Sequence, residues 1–291
     1  MNINKWIDKN TTRLDKKTVV ISGSTGGLGR ELCFYLASLG ADLVLLDRNM
    51  KKSSELECAL KAKFPLLSVK RVCADMSDMS SVRAAADELA LMEIDYLILN
   101  AGAYSIPRCT VDTGYDNVYQ INFISPYYLA RRLLPSISDR GGRVVAVGSI
   151  AHNYSRINEN DIDFSKVKKA SLVYGNAKRF LTYSLLSLNS DNIVVTHPGI
   201  SFTGITNHYP KLIFALIKHP MKIIFMHPRV ACLSILRGLF APVIPFTWIG
   251  PCIFDVWGRP SCKKLRTAKN GEIKRIAEIA DEIYNKTNIN E

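Results

Sequence analysis

The chain has 291 residues, is 47% hydrophobic and carries a formal net charge of +12. This length and composition allow a large buried core, in one α/β domain or in two smaller ones. The polar segment 1–14 lacks the apolar stretch of a signal peptide, and the seven cysteines lack metal-ligand spacing. We therefore expect a cytoplasmic protein without a disulfide framework or a metal site. The charge alone leaves open whether the protein is simply basic or binds an anionic partner.

Six short apolar runs alternate with helical stretches over the first two hundred residues. Uninterrupted apolar strands separated by helices indicate a parallel sheet that is covered on both faces. Polar or glycine residues follow each run, at the strand ends where open sheets of this kind bind ligands. No linker or internal repeat interrupts the pattern, so we predict a single α/β domain with a doubly wound parallel sheet. The predicted strands are 18–22, 43–46, 69–74, 96–99, 144–147 and 193–196.

The C-terminal part of the chain has a different character. Residues 205–254 are apolar and basic and contain six prolines, and no acidic residue occurs between Asp191 and Asp255. The longest uncharged run, 238–254, includes three of those prolines and is shorter than the about 20 apolar residues that a membrane-spanning helix needs. We therefore predict no transmembrane span. Four isoleucines at helical spacing predict an amphipathic helix within 263–291: Ile273, Ile276, Ile279 and Ile283.

Two motifs carry the chemistry. A glycine-rich turn joins the first predicted strand to the first predicted helix, where helix amides face an anion and glycine permits close approach of the backbone. This arrangement predicts the pyrophosphate site of a dinucleotide. Tyr174 and Lys178 are four residues apart, which places a phenol and an ammonium on one face of a helix. The turn reads Ser22-Gly23-Ser24-Thr25-Gly26-Gly27-Leu28-Gly29.

With these motifs the chain resembles the short-chain dehydrogenase/reductase family over residues 15–260. The turn fits the glycine patterns of two branches of that family, and Asn100-Ala101-Gly102 is similar to the N-A-G motif of the shorter branch. Segment 141–152, together with 197–199, is most similar to the retinol-dehydrogenase-like subgroup. The resemblance implies a Rossmann-type fold that binds NAD or NADP through Gly23, Ser24, Gly27, Leu28, Gly29, Asp47, Arg48, Asp75, Met76, Asn100, Ala101, Gly102, Tyr174, Lys178, Pro198, Gly199 and Thr203.

The resemblance also implies a catalytic set of Asn122, Ser149, Tyr174 and Lys178. A free phenol has a pKa of about 10, and we expect the nearby Lys178 ammonium to lower the pKa of Tyr174. Tyr174 would then exchange a proton with the substrate oxygen, and Ser149 would hold that oxygen by a hydrogen bond. Lys178 would also hold the nicotinamide ribose, and Asn122 would position a water in a proton relay.

The second predicted strand ends in two residues with opposite implications for the cofactor. A carboxylate such as Asp47 suits the free ribose 2′-hydroxyl of NAD and repels the 2′-phosphate of NADP. Arg48 follows directly and could instead pair with that phosphate. The glycine turn contains no Arg or Lys, so the sequence favours NAD.

We expect an oxidoreductase that interconverts an alcohol and a ketone or aldehyde on a bulky, lipophilic substrate of the steroid, retinoid or fatty-aldehyde kind. The alternatives are a reductase of activated C=C bonds and a non-catalytic dinucleotide sensor. Residues 205–254 lie where the family places its substrate lid, and they could also contact a membrane surface. We expect no nucleic-acid partner. A homodimer through the helices that carry Asn122 and Tyr174 is a further expectation from the resemblance.

Overall fold

The computed structural model of the chain describes residues 2–200, 226–265 and 267–288. Within these ranges, eight strands form one sheet in the order β3-β2-β1-β4-β5-β6-β7-β8. All neighbouring strands are parallel except β7 and β8, which are antiparallel. The doubly wound parallel sheet predicted from the sequence is confirmed. The strands are β1 (Thr18–Ser22), β2 (Asp42–Asp47), β3 (Val69–Cys73), β4 (Tyr96–Leu99), β5 (Arg143–Val147), β6 (Ile193–Thr196), β7 (Thr247–Ile253) and β8 (Trp257–Lys264).

Helices cover both faces of the sheet because successive strand side chains point to opposite faces. Val19 and Ile21 of β1 pack in one apolar cluster, and Val20 between them packs in the other. The helices are α1 (Ile3–Asn10), α2 (Gly27–Ser38), α3 (Met50–Lys63), α4 (Met79–Ala90), α5 (Asn117–Tyr119), α6 (Ser125–Asp139), α7 (Ala170–Ser187), α8 (Pro228–Ala231), α9 (Leu233–Phe240) and α10 (Asn270–Asn288). A π-helical turn, Gln120–Ile124, joins α5 to α6, and a 3-10 helix spans Ile150–Tyr154.

The order of the strands creates the crevice of the molecule. Strand β1 pairs with β2 on one side and with β4 on the other. The chain therefore winds outward to β3 and then crosses to the opposite half of the sheet. Ligands of open α/β sheets bind beyond the carboxyl ends of the strands at such a switch point. The glycine turn after β1 and the Asn100-Ala101-Gly102 segment after β4 both lie there.

Part of the predicted lid belongs to the core. Helix α9 and strand β7 lie within 205–254, and Leu233, Leu236 and Leu239 of α9 are buried against the sheet. Within 226–254, helix α9 therefore packs on the sheet and β7 forms one of its strands. Thr203 and residues 205–225 lie outside the described residues. In the described part of the chain, no helix is long and apolar enough to cross a membrane.

The C-terminal helix α10 packs against α6, one of the two helices through which a homodimer was expected. The sequence predicted a helix within 263–291, and the helix observed spans Asn270–Asn288, after strand β8 has ended at Lys264. Tyr284 of α10 packs against Tyr127 and Tyr128 of α6, and the guanidinium of Arg131 lies 4.5 Å from the centre of the Tyr284 ring. Helix α10 therefore packs on α6 within the same chain, and the homodimer through α6 and α7 stays a prediction.

Candidate active site

The glycine turn is shaped by steric limits. Gly23 has a φ of +66°, a conformation that side chains disfavour. A Cβ atom on Gly29 would lie 2.3 Å from the carbonyl oxygen of Gly23 and 2.9 Å from Cα of Ser24. Helix α2 begins at Gly27, and its cap residue Gly26 supplies no side-chain hydrogen bond. The first N–H groups of α2, including that of Leu28, are therefore free of a side-chain cap and suit an anion, and the pyrophosphate site stays a prediction.

Asp47 holds this turn in place. Its carboxylate accepts hydrogen bonds from the hydroxyl of Ser24, from the N–H and hydroxyl of Thr25 at 3.2 Å each, and from the hydroxyl of Ser53 at 3.1 Å. Only 3% of Asp47 is exposed, and Ser24 is fully buried. The side chains of Asp47 and Ser24 thus stabilise the turn from the protein interior. The prediction of NAD rested on an Asp47 carboxylate that is free to bind ribose, and in this structure both of its oxygens are already occupied.

Arg48 has the opposite environment. Its side chain is 72% exposed, and its guanidinium lies 3.6 Å from the carboxylate of Asp75. Asp75 also accepts hydrogen bonds from the N–H and hydroxyl of Ser77, at 2.9 and 2.6 Å. Met76, which was also predicted to bind the cofactor, has its side chain buried in the core. At this edge of the crevice, Arg48 is exposed and Asp75 is partly exposed.

The Asn100-Ala101-Gly102 segment joins the glycine turn to the catalytic residues. The Asn100 amide donates to the carbonyl oxygens of Ser22 and Gly23, both at 3.0 Å, and the N–H groups of Asn100 and Ala101 both donate to the Ser22 hydroxyl. A Cβ atom on Gly102 would lie 2.8 Å from Oδ1 of Asn122 and 3.6 Å from Nζ of Lys178. Glycine at 102 leaves room where these two predicted catalytic side chains converge.

Asn122 lies in the π-helical turn, a feature often found at functional sites. Its amide donates to the carbonyl oxygens of Ala103 and Val118, both at 2.8 Å, and its Oδ1 accepts from the N–H of Ala103 at 3.2 Å. The amide orientation is thereby fixed by backbone groups on two segments. Oδ1 retains capacity for a further hydrogen bond toward Lys178, which fits the predicted relay.

Ser149 and Tyr174 face each other from two elements. Ser149 follows β5 and caps the 3-10 helix by accepting a hydrogen bond from the N–H of Ala151. Tyr174 and Lys178 lie on α7, one turn apart. Nζ of Lys178 lies 5.8 Å from the centre of the Tyr174 ring, and the ring of Tyr104 packs edge-on against Tyr174 with centroids 5.3 Å apart. The structure therefore brings together all four predicted catalytic residues.

Burial controls the ionisation of the central pair. Burial raises the pKa of Tyr174 to about 12, although a hydrogen bond with Ser149 acts in the opposite direction. Burial also lowers the pKa of Lys178 to about 7. The pKa of Tyr174 thus lies above that of a free phenol, whereas we expected from the sequence that the Lys178 ammonium would lower it. Near neutral pH, Tyr174 keeps its proton and can donate it.

The segment after β6 packs tightly beside β7. The ring of His197 stacks on Trp248 with centroids 5.1 Å apart. Gly199 has a φ of +79°, and a Cβ atom there would lie 2.7 Å from the carbonyl oxygen of Val256. The predicted cofactor residues Pro198 and Gly199 thus lie at the carboxyl end of β6, next to the site.

Sequence reasoning missed two residues near the reacting groups. Tyr104 lies two positions after Gly102, so its place beside a recognised motif was a usable signal. Arg179 directly follows Lys178, and its side chain is completely buried. Nothing in a single sequence distinguishes a buried arginine from an exposed one.

The glycine turn and the uncapped start of helix α2 fit the pyrophosphate of a nicotinamide dinucleotide.

Comparison with known proteins agrees with this geometry. A family model described as short chain dehydrogenase matches residues 17–167. The short chain dehydrogenase rstn4 of Aspergillus nomiae is 34% identical over 49% of this chain and 42% of its own length. The family member FEY of Arabidopsis thaliana is 28% identical over 93% of this chain and 77% of its own. Mouse retinol dehydrogenase 14 is 29% identical over 66% of this chain and 63% of its own.

The chain thus spans less than half the length of the first of these relatives. Among solved structures, an uncharacterised protein from Mycobacterium paratuberculosis superposes with a TM-score of 0.71. It is 23% identical and covers 94% of this chain and 95% of its own. At that identity the superposition supports the fold alone.

Proposed function

Because this chain belongs to the short-chain dehydrogenase family, we propose that it interconverts an alcohol and a ketone or aldehyde with Tyr174 as the acid and base. The observation that carries the proposal is the convergence of Asn122, Ser149, Tyr174 and Lys178 beside the glycine turn. A bound NAD(P) would supply or accept the hydride. Gly23, Gly29 and the start of α2 would hold its pyrophosphate.

The chain's own residues then manage the proton. In the direction of reduction, Tyr174 donates its phenolic proton to the carbonyl oxygen as that oxygen gains charge. Ser149 donates a hydrogen bond to the same oxygen and limits its position. Lys178 donates to the carbonyl oxygen of Val147 at 2.8 Å and would use its remaining donors to hold a ribose hydroxyl of the dinucleotide. Because Tyr174 is protonated near neutral pH, its resting state is already the one that reduction requires.

We propose NADP as the preferred cofactor, which reverses the preference inferred from the sequence. The Asp47 carboxylate is buried and accepts hydrogen bonds from Ser24, Thr25 and Ser53. Arg48 is exposed at the rim, and its ion pair with Asp75 is long. A guanidinium in that position suits a 2′-phosphate, which accepts charge-assisted hydrogen bonds.

The proposed substrate is bulky and lipophilic. Relatives named retinol dehydrogenase and polyprenol dehydrogenase support this class. The aromatic ring of Tyr104 beside Tyr174 supplies an apolar contact at the reacting centre. The basic and apolar sequence of 205–225 also supports a peripheral contact with membranes. Pelleting with anionic vesicles, with and without the charge reversals Lys211→Glu, Lys218→Glu and Lys222→Glu, tests that contact.

The decisive experiment is a screen of retinoids, steroids, bile acids and aldehydes with NADPH and with NADH, followed by nicotinamide absorbance. Tyr174→Phe should lower kcat by about 100-fold or more while dinucleotide binding persists. The matched control is Tyr154→Phe, because Tyr154 is 58% exposed at the end of the neighbouring 3-10 helix. Product analysis separates carbonyl from C=C reduction. Dinucleotide binding without turnover of any substrate would support a sensor instead.

A further inference from the structure

Arg179 is a buried cation that the proposed mechanism does not use. It follows Lys178 on α7, and its side chain has no exposed surface. Its Nε and Nη2 atoms donate to the two carboxylate oxygens of Glu272, both at 2.7 Å. Nη2 also donates to the carbonyl oxygen of Thr267 at 2.8 Å, and Nη1 donates to the carbonyl oxygen of His152 at 3.0 Å. The guanidinium therefore joins three separate segments of the chain.

His152 continues this connection to the active site. Its Nδ1 lies 2.6 Å from the carbonyl oxygen of Ser149. A carbonyl oxygen only accepts hydrogen bonds, so Nδ1 carries the proton. The ring is buried and packs edge-on against Tyr183 and Trp248, with centroids 6.0 and 5.0 Å away. One run of hydrogen bonds thus leads from Glu272 through Arg179 and His152 to the backbone of Ser149.

These hydrogen bonds link the two elements that carry Ser149 and Tyr174, and the distance between those elements matters for proton transfer. Tyr174 and Arg179 lie on the same helix, and Ser149 and His152 lie on the same turn. The helix and the turn are in close contact at Gly175, where a Cβ atom would lie 2.4 Å from the carbonyl oxygen of Ala151. That contact limits how near the two elements come. The hydrogen bonds from Arg179 limit how far they separate or slide.

Stability alone is a weak reason for this arrangement. Replacing a buried ion pair by apolar residues of similar volume is often neutral or stabilising, whereas removing one partner is costly. A buried guanidinium with a bidentate carboxylate does fix the orientation of the groups that it joins, because its donors have fixed geometry. Glu272 lies in the first turn of α10, where a carboxylate interacts favourably with the helix dipole. The start of the C-terminal helix thereby holds the Glu272 carboxylate in place for Arg179.

We propose that Arg179 and His152 are positioning residues, which hold Ser149 at its working distance from Tyr174. Glu272 of the C-terminal helix fixes the position of Arg179 through their ion pair. The inference rests on the proposed function, since it assigns Ser149 and Tyr174 to catalysis. It predicts that the C-terminal helix, beyond the segment matched by the family model, contributes to kcat. The interaction acts on the geometry of the reacting groups and leaves the dinucleotide cradle after β1 unchanged.

The test compares activity with stability in matched variants. Glu272→Gln keeps the shape of the side chain and should lower kcat by about tenfold or more, with dinucleotide Kd unchanged. The double variant Arg179→Met with Glu272→Leu removes both charges, and we expect it to recover the melting temperature but not kcat. Arg275→Met is the control, because Arg275 lies on the same helix as Glu272 and forms an exposed ion pair with Glu159 of a distant loop.

His152 provides a second measurement that does not depend on the ion pair. His152→Asn keeps an N–H donor near the position of Nδ1, and His152→Leu has a similar volume but no donor. We expect kcat close to wild type for the first and a loss of about tenfold or more for the second. The inference is overturned if kcat returns with the melting temperature in the double variant, or if Glu272→Gln leaves kcat unchanged. Absence of turnover in the wild type would instead overturn the proposed function.

Discussion

The ammonium of Lys178 donates a 2.8 Å hydrogen bond to the carbonyl oxygen of Val147, the last residue of β5. The bond fixes the catalytic helix α7 to the edge of the sheet where Ser149 lies two residues further on. The bond uses one of the three N–H donors of the ammonium. The side chain is almost fully buried, since 2% of Lys178 is exposed. Burial therefore disfavours the charged form of Lys178.

We expect the binding step of the dinucleotide to weaken above neutral pH. Burial lowers the pKa of Lys178 to about 7, so the charged form predominates below that pH and the neutral form above it. The kcat/KM for the dinucleotide reports ionisations of the free enzyme, and it should fall as the pH rises through about 7. Tyr174 remains protonated in this range, because burial raises its pKa to about 12.

Lys178→Arg separates this explanation from others. A guanidinium stays charged up to a pH above 12, so the variant should lose the inflection near pH 7 even if its absolute rate is lower. An unchanged inflection in Lys178→Arg would assign the titration to another group.

The glycine turn allows a test with two neighbouring substitutions. In Gly29→Ala, the new methyl group would lie 2.3 Å from the carbonyl oxygen of Gly23, so the turn must shift. The corresponding distance for Gly26→Ala is 3.3 Å, which a small adjustment relieves. We expect Gly29→Ala to weaken dinucleotide binding by about 100-fold or more, measured by nicotinamide fluorescence, and Gly26→Ala to have a much smaller effect. Equal losses would mean that the backbone shape at Gly29 is not what binding requires.

The fold was predictable because its signals are local, and the family resemblance supplied the candidate catalytic residues. Continuous apolar strands and a glycine turn identify a doubly wound sheet, and the spacing of Tyr174 and Lys178 places them together without knowledge of the rest. The environment of each side chain depends on residues far away in sequence. Asp47 is occupied by Ser24, and Arg179 is buried by a helix that begins some ninety positions later. Neither relationship leaves a pattern in a single chain.

Cofactor choice illustrates the difference between a residue and its environment. If Asp47 supports the glycine turn, Asp47→Asn should weaken NADH and NADPH binding by the same factor. If it instead binds the ribose, the variant should lose NADH selectively. Arg48→Ala should weaken NADPH by about tenfold or more and leave NADH nearly unchanged. Kd values for both dinucleotides, measured at fixed ionic strength because charge pairs are screened by salt, decide between the two outcomes.

Two buried histidines beside Trp248 predict sensitivity to acid. Burial lowers the pKa of His152 to about 4 and that of His197 to about 3, compared with about 6.5 for a free imidazole. The unfolded chain therefore binds more protons between pH 6.5 and about 4, so the free energy of unfolding rises with pH across that window and falls on acidification.

Each histidine should remove about 2 kcal/mol from the free energy of unfolding by pH 5, measured by urea unfolding at pH 7.5 and at pH 5. His197→Phe retains an aromatic ring to stack on Trp248 but cannot be protonated, so its unfolding midpoint should depend less on pH than that of the wild type. His227→Asn is the control, since His227 is exposed and its replacement should leave the pH dependence unchanged. A midpoint that falls equally in the wild type and in His197→Phe would show that other groups carry the acid sensitivity. The comparison is informative even if His197→Phe is less stable at pH 7.5, because it rests on the change between two pH values within each protein.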